Sequence, residues 1–92
     1  MPTPYDYKKV ERIFKGVANH WRLRTLVLLK DEPELSVADI SDKLKSNFKT
    51  TSEHIRKLSI AGLVMKRYEG ATVRHKLTSR GESILKFCRI LE

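Results

Sequence analysis

The sequence predicts a mostly α-helical fold with one small β-hairpin, and three observations predict it. Residues 47–61, NFKTTSEHIRKLSIA, carry a helix start and a helix stop around a narrow apolar stripe. The apolar residues N-terminal to that stretch recur at three- and four-residue spacing. Beyond Gly62 the pattern changes to two short alternating runs about Gly70-Ala71, which is the mark of a hairpin.

The first four residues contain two prolines and little to pack, so they read as a loose end. Residues 5–18 place Val10, Ile13, Phe14 and Val17 on one side of a first helix. Asn19 is suited to cap a second helix over 20–30, which carries Trp21, Leu23, Leu26, Val27 and Leu29 and is expected at the centre of the core. Asp31-Glu32-Pro33 ends it. Ser36-Val37-Ala38-Asp39 resembles a capping box with Asp in place of the usual Glu, opening a third helix with Val37, Ile40 and Leu44 on its apolar side.

Only Lys45 and Ser46 separate that helix from Asn47, the expected N-cap of the fourth. Thr51, Ile55 and Leu58 form the fourth helix's stripe, and Gly62 supplies the left-handed residue that stops it. At 3.6 residues per turn the opposite side carries Lys49, Ser52, Glu53, Arg56 and Lys57. Two short helices joined by so tight a turn read as a helix-turn-helix. Strands over 63–69 and 72–78 would turn Val73 and Leu77 inward and Arg74 and Lys76 outward, forming a basic wing. A last helix over 79–91 shows Ile84, Cys88 and Leu91 on one side, flanked by Leu85 and Phe87. The order α-α-α-α-β-β-α is that of a winged helix-turn-helix, and residues 1–92 are expected to make a single domain.

Charge sharpens the reading. The net charge is +8 over the 92 residues, and the stretch 43–80 accounts for all of it. That stretch holds Lys43, Lys45, Lys49, Arg56, Lys57, Lys66, Arg67, Arg74, Lys76 and Arg80 against only Glu53 and Glu69. Such asymmetry suggests a polyanionic partner. No apolar run approaches the roughly 20 residues of a membrane span, and one cysteine, Cys88, fits a reducing, cytoplasmic setting. No base–orienter pair accompanies Ser52 or Thr50, so an enzyme is not expected.

The residues also resemble a family. Phe14-Lys15-Gly16-Val17-Ala18-Asn19 with Arg22-Leu23-Arg24 is similar to the opening of the arsenic-repressor (ArsR) regulators. Thr50-Thr51-Ser52-Glu53-His54-Ile55, then Leu58 and Ala61-Gly62-Leu63-Val64, resembles their recognition helix and entry to the wing. Glu69-Gly70 and Leu77-Thr78 match the wing, while Leu77-Thr78-Ser79-Arg80-Gly81 also resembles the MarR type. The resemblance implies a dimer built from the first and last helices that binds operator DNA and represses transcription. It departs at one motif: metal-sensing members carry E-L-C-x-C-D-L, whereas this chain reads Glu34-Leu35-Ser36-Val37-Ala38-Asp39-Ile40. Ser36 and Ala38 do not bind a soft metal, so neither metal sensing nor a cofactor is expected. Ala71 makes a smaller wing tip than the family often has.

The expected partner is double-stranded DNA. Lys49, Thr50, Ser52, Glu53 and Arg56 are placed to read bases, and Phe48 either touches a thymine methyl or packs against the turn. Lys43, Lys45, Lys57, Lys66, Arg67, Arg74 and Lys76 are assigned to phosphates. Val10, Ile13, Phe14, Val17, Ile84, Cys88 and Leu91 are expected to form a homodimer interface. Trp21 is expected in the core, and His54 and His75 in structural positions. The competing reading is a winged helix used for protein–protein contact, favoured by Ile60 on the solvent side of the fourth helix.

Overall fold

The structure is a computed structural model that describes residues 4–92. Met1, Pro2 and Thr3, part of the expected loose end, lie outside the described residues. The elements follow in the order α1 (Tyr7–Val17), α2 (His20–Asp31), α3 (Val37–Leu44), α4 (Phe48–Ile60), β1 (Val64–Glu69), β2 (Thr72–Leu77) and α5 (Ser79–Leu91).

Each helix begins where a polar side chain takes up an otherwise unpaired amide. Asp6 accepts from Lys9 N at 3.2 Å, so α1 starts two residues later than the apolar spacing suggests. Asn19 accepts from Trp21 N, and Asn47 accepts from Thr50 N. Ser36 and Asp39 form the full reciprocal box, and the Ser36 amide holds the Asp39 carboxyl below the usual carboxylate range. Thr78, expected as the last strand residue, instead caps α5 by accepting from Gly81 N while donating to Gly62 O at 2.6 Å.

The core lies where α2 and α4 cross beneath the hairpin. Leu26, Leu29, Ile40, Ile55, Leu58 and Leu63 are buried there, with Ala61, Val64 and Leu77 at its edge. The tight turn between α3 and α4 is braced from inside. Ser41 Oγ donates to Ser46 O, and the Ser46 and Thr51 hydroxyls share a hydrogen bond of 2.6 Å. Lys45 turns the corner with φ 53°, a left-handed conformation that costs a non-glycine residue some strain.

β1 and β2 pair antiparallel with Val64 opposite Leu77 and Arg67 opposite Arg74. The sheet gains a short third edge, because Leu35 bridges to His75 through backbone bonds from His75 N to Leu35 O and from Glu34 N to His75 O. His75 is 1 % exposed, and its Nδ1 lies 2.8 Å from Leu35 O. Burial pushes its pKa below the ordinary histidine value, against the pull of that carbonyl.

Two expectations about α2 change. Trp21 is only half-buried, because it sits at the exposed start of the helix with the Arg24 guanidinium 4.7 Å from its ring. Val27 is 52 % exposed, and the inner side of α2 is built by Arg22, Thr25, Leu26 and Leu29 instead. On β2, Val73 is half-buried rather than buried, since it lies near the hairpin tip.

Candidate nucleic-acid interface

α4 turns Thr51, Ile55 and Leu58 into the core and leaves Phe48, Lys49, Thr50, Ser52, Glu53, Arg56 and Lys57 exposed. The sequence spacing and the structure therefore agree on which side of the helix is open. Phe48 is 58 % exposed and does not close over the turn. Glu53 and Arg56, separately assigned to bases, hold one another one turn apart: Arg56 Nε donates to Glu53 Oε2 at 3.0 Å and Nη2 to Oε1. The guanidinium hydrogen bond keeps the Glu53 carboxyl below its usual range and raises the Arg56 pKa. A base edge that takes Arg56 Nε or Nη2, or a Glu53 oxygen, competes with this pair.

The residues assigned to phosphates divide in two. Among the described residues Lys45, Lys57, Lys66 and Lys76 have no carboxylate partner, and all four are exposed. The others are engaged. Lys43 pairs with Glu32 at 3.0 Å. Arg67 reaches Glu34 at 3.1 Å and Glu69 at 2.9 Å, while Arg74 reaches Glu69 at 3.3 Å and donates to Glu34 O at 3.1 Å. Two arginines directly opposite each other in the ladder would repel, and the shared Glu69 offsets this. Glu34, at φ 70°, thus anchors the hairpin to the segment before α3. Lys66 and Arg67 are neighbours on a strand and so point to opposite faces, with Lys66 on the side of its ladder partner His75.

The candidate interface residues on α1 and α5 also separate. Phe14 is 50 % and Leu91 69 % exposed, whereas Val17 is 8 % exposed and belongs to the core of its own chain. Val10 and Cys88 are half-buried, and Ile13 and Ile84 pack against the core. Phe87, expected to flank the apolar side of the last helix, and Tyr7 and Ile90, which the apolar spacing did not single out, add exposed apolar surface to the same two helices.

His54 accepts from the buried Arg22, whose Nε lies 3.2 Å from His54 Nδ1. Burial, and then the Arg22 charge, push the His54 pKa down, which suits this acceptor role. Arg22 Nη1 also donates to Lys15 O and Gly16 O, so the guanidinium ties α2 to the end of α1 and to α4. Nothing in the local spacing signals that an arginine in this position turns inward. Ser36 and Ala38 stand at the start of α3, and among the described residues no group of three or more His, Cys, Asp or Glu side chains is placed to hold a metal ion. Among the described residues no helix is long and apolar enough to cross a membrane.

Comparison with known proteins bears on the family and the fold. Residues 21–66 match the family described as bacterial regulatory protein, arsR family. An HTH-type transcriptional regulator of Methanocaldococcus jannaschii is 39 % identical over 64 residues, which is 70 % of this chain and 72 % of that protein. A cadmium resistance transcriptional regulatory protein CadC homolog of Staphylococcus aureus is 32 % identical over 68 residues, 74 % of this chain but only 56 % of its own length. The chain therefore matches little more than half of that relative. Among solved structures, HlyU of Vibrio cholerae superposes with a TM-score of 0.80 at 30 % identity over 97 % of each chain. A homodimeric winged helix-turn-helix DNA-binding domain of Mycobacterium bovis gives 0.82 at 27 % identity, covering 99 % of this chain and 89 % of that one.

Proposed function

The chain belongs to the ArsR family of bacterial transcriptional regulators, and on that premise we propose that it is a sequence-specific repressor that binds double-stranded DNA as a twofold dimer, without metal sensing. One observation carries the reading: the exposed side of α4, with Lys49, Thr50, Ser52, Glu53 and Arg56, lies inside the stretch that holds the whole net charge. Those five side chains read base edges in the major groove, where Lys and Arg suit guanine and Glu suits a cytosine amino group. Lys45, Lys57, Lys66 and Lys76 hold phosphates and set the register. Lys43, Arg67 and Arg74 reach phosphates only by giving up carboxylates they already hold.

Residues 1–92 act as one domain, in the cytoplasm where the operator is. Phe14 and Leu91, with Val10, Ile84 and Cys88 beside them, supply the apolar surface of the dimer; the similar Mycobacterium bovis domain is homodimeric. Twofold symmetry would set the two copies of α4 about 34 Å apart, in successive major grooves. A dimer so seated represses by excluding other proteins from the site. Ser36 and Ala38 leave α3 without thiolates, which supports a regulator that does not respond to cadmium, zinc or arsenite.

Selection from random duplex DNA, with light scattering of the free and bound protein, tests the reading. A dyad-symmetric site bound by two chains is expected. Selection without enrichment, or a monomer both free and bound at micromolar concentration, would sink it. Ile60, 70 % exposed on α4, favours the second reading of a protein–protein module. That reading takes over if wild-type binding to duplex DNA shows no salt dependence.

A further inference from the structure

Between α1 and the C-terminal half of α4 runs a groove of about 730 Å³. Six cations line it: Lys9, Arg12, Lys15, Arg22, Lys57 and Arg80. Among the described residues no carboxylate lines it, and of the six only Lys15 has an ion pair, with Glu11 at 3.7 Å. Its apolar wall is Ile13 and Ile60.

The two inner arginines are preset. Arg22, 9 % exposed, is seated on the last carbonyls of α1, Lys15 O at 3.1 Å and Gly16 O at 3.0 Å. Arg80 Nη1 is seated on the last turn of α4, at Ala61 O, 2.9 Å away. The negative ends of two helix dipoles offset part of each charge, but a carboxylate is missing from both. Nη2 of each guanidinium has no protein partner among the described residues. The helices that carry these carbonyls are in close contact and cannot approach further, because a Cβ added at Gly16 would lie 2.5 Å from Ala61 Cβ. The groove therefore holds fixed, unneutralised donors around an apolar wall, at a volume typical of small-molecule sites.

We propose that this groove binds a small organic anion: a carboxylate or phosphate monoester carried on an apolar body. The headgroup takes the free donors of Arg22 and Arg80, with Arg12 and Lys57 at the rim. The apolar body covers Ile13 and Ile60. This accounts for Ile60, an exposed aliphatic residue on an otherwise polar helix face, which a DNA phosphate would leave uncovered. Lys57 belongs to both the groove and α4, so an occupant removes positive charge beside the bases being read and weakens operator binding. That coupling rests on the DNA-binding reading above; the binding of the anion does not.

The test titrates the full chain with decanoate and with decyl phosphate, and in parallel with decanol, decyltrimethylammonium and inorganic phosphate, all below micelle formation. Calorimetry and amide chemical shifts report binding. Saturable binding of both decyl anions, one per chain, is expected, with shifts at Gly16, Ile60 and Ala61. Decanol and decyltrimethylammonium should not saturate, and inorganic phosphate should bind at least tenfold more weakly. Arg12→Gln and Ile60→Ser, both on exposed side chains, should each weaken decanoate at least tenfold while leaving thermal unfolding unchanged. Saturating decanoate should lower operator affinity at least threefold. Equal binding of decanol and decanoate, or binding indifferent to both substitutions, overturns the site. So does a dimer whose formation competes with decanoate, since a second copy would then fill the groove. Anion binding that leaves operator affinity unchanged overturns the coupling alone. If the protein binds no DNA at all, the repressor reading fails while the anion titration still decides the groove.

Discussion

The fourth helix and the wing carry the same kinds of side chain and use them differently. On α4 the only carboxylate partner of an arginine lies within the same helix, Glu53 one turn from Arg56. Releasing Arg56 costs one solvent-screened, exposed pair and disturbs no other element. In the wing Arg67 and Arg74 are tied through Glu69 to each other and through Glu34 to the segment before α3. Releasing either loosens the attachment of the hairpin. A count of basic residues treats all of these as equal offers to DNA. The structure separates a surface that is free to read from a hairpin whose arginines are already employed in holding it.

The largest effect that could break this comparison is at the foot of the wing. His75→Ala removes a buried ring and one of the two hydrogen bonds at the Leu35 carbonyl, so roughly 2–4 kcal/mol of stability should be lost. Urea unfolding measures it, and a loss below about 1 kcal/mol would mean that the buried ring is not what secures the foot of the wing. Next comes Arg56→Ala. It should cost about 1–3 kcal/mol on the preferred duplex, much less on unrelated DNA, and almost nothing in thermal stability. An Arg56→Ala protein that melts several degrees lower would show that α4 is braced as the wing is.

What could be read from the chain follows the range of the interactions. The caps at Asn19, Ser36 and Asn47 act within three residues of themselves, and all three are found. The stripe of Thr51, Ile55 and Leu58 depends only on helical period, and it faces inward as spaced. Arg22, Glu34 and His75 depend on partners 32 to 40 residues away, and no local pattern announces those. Trp21 illustrates the same limit, since its hydrophobicity says nothing of its place at the exposed start of α2. The Glu53–Arg56 pair was legible as an i, i+3 spacing, and the competition between pairing and base reading follows from it.

Acid should sharpen the contrast. His75 and His54 both have pKa values below 6.5, each chiefly through burial. The unfolded chain therefore binds protons that the folded chain refuses, so their contribution to stability is full above pH 6.5 and shrinks as pH falls below it. Hydrogen exchange at the amides of β2 and at the α1–α2 junction should quicken between neutral pH and pH 5.5 relative to the intrinsic rate, while α4's first turn, capped by Asn47, changes little. If His75→Gln leaves the pH dependence intact, the titrating group lies elsewhere.

The finest test sets Arg74 against Lys76, two residues apart on the outward side of β2. Lys76 is exposed and has no carboxylate partner among the described residues. If it contacts a phosphate, Lys76→Ala removes one whole charge from the DNA interface and should reduce the salt slope of operator binding by about 0.9. Arg74 is already faced by Glu69, and its Nη1 is committed to Glu34 O. It brings less than a full charge to the duplex, and truncating it leaves Glu69 with one guanidinium instead of two. Arg74→Ala should therefore change the salt slope by less than half of the Lys76 effect, lower affinity for operator and random DNA alike, and cost under about 1 kcal/mol of stability. Binding of both variants across a salt series decides between the two. Equal slope changes would mean that the Glu69 network opens when DNA arrives and that the wing's arginines serve the duplex after all. A slope unchanged by Lys76→Ala would instead take the outward face of β2 out of the interface and leave DNA contact to α4 and the turn that precedes it.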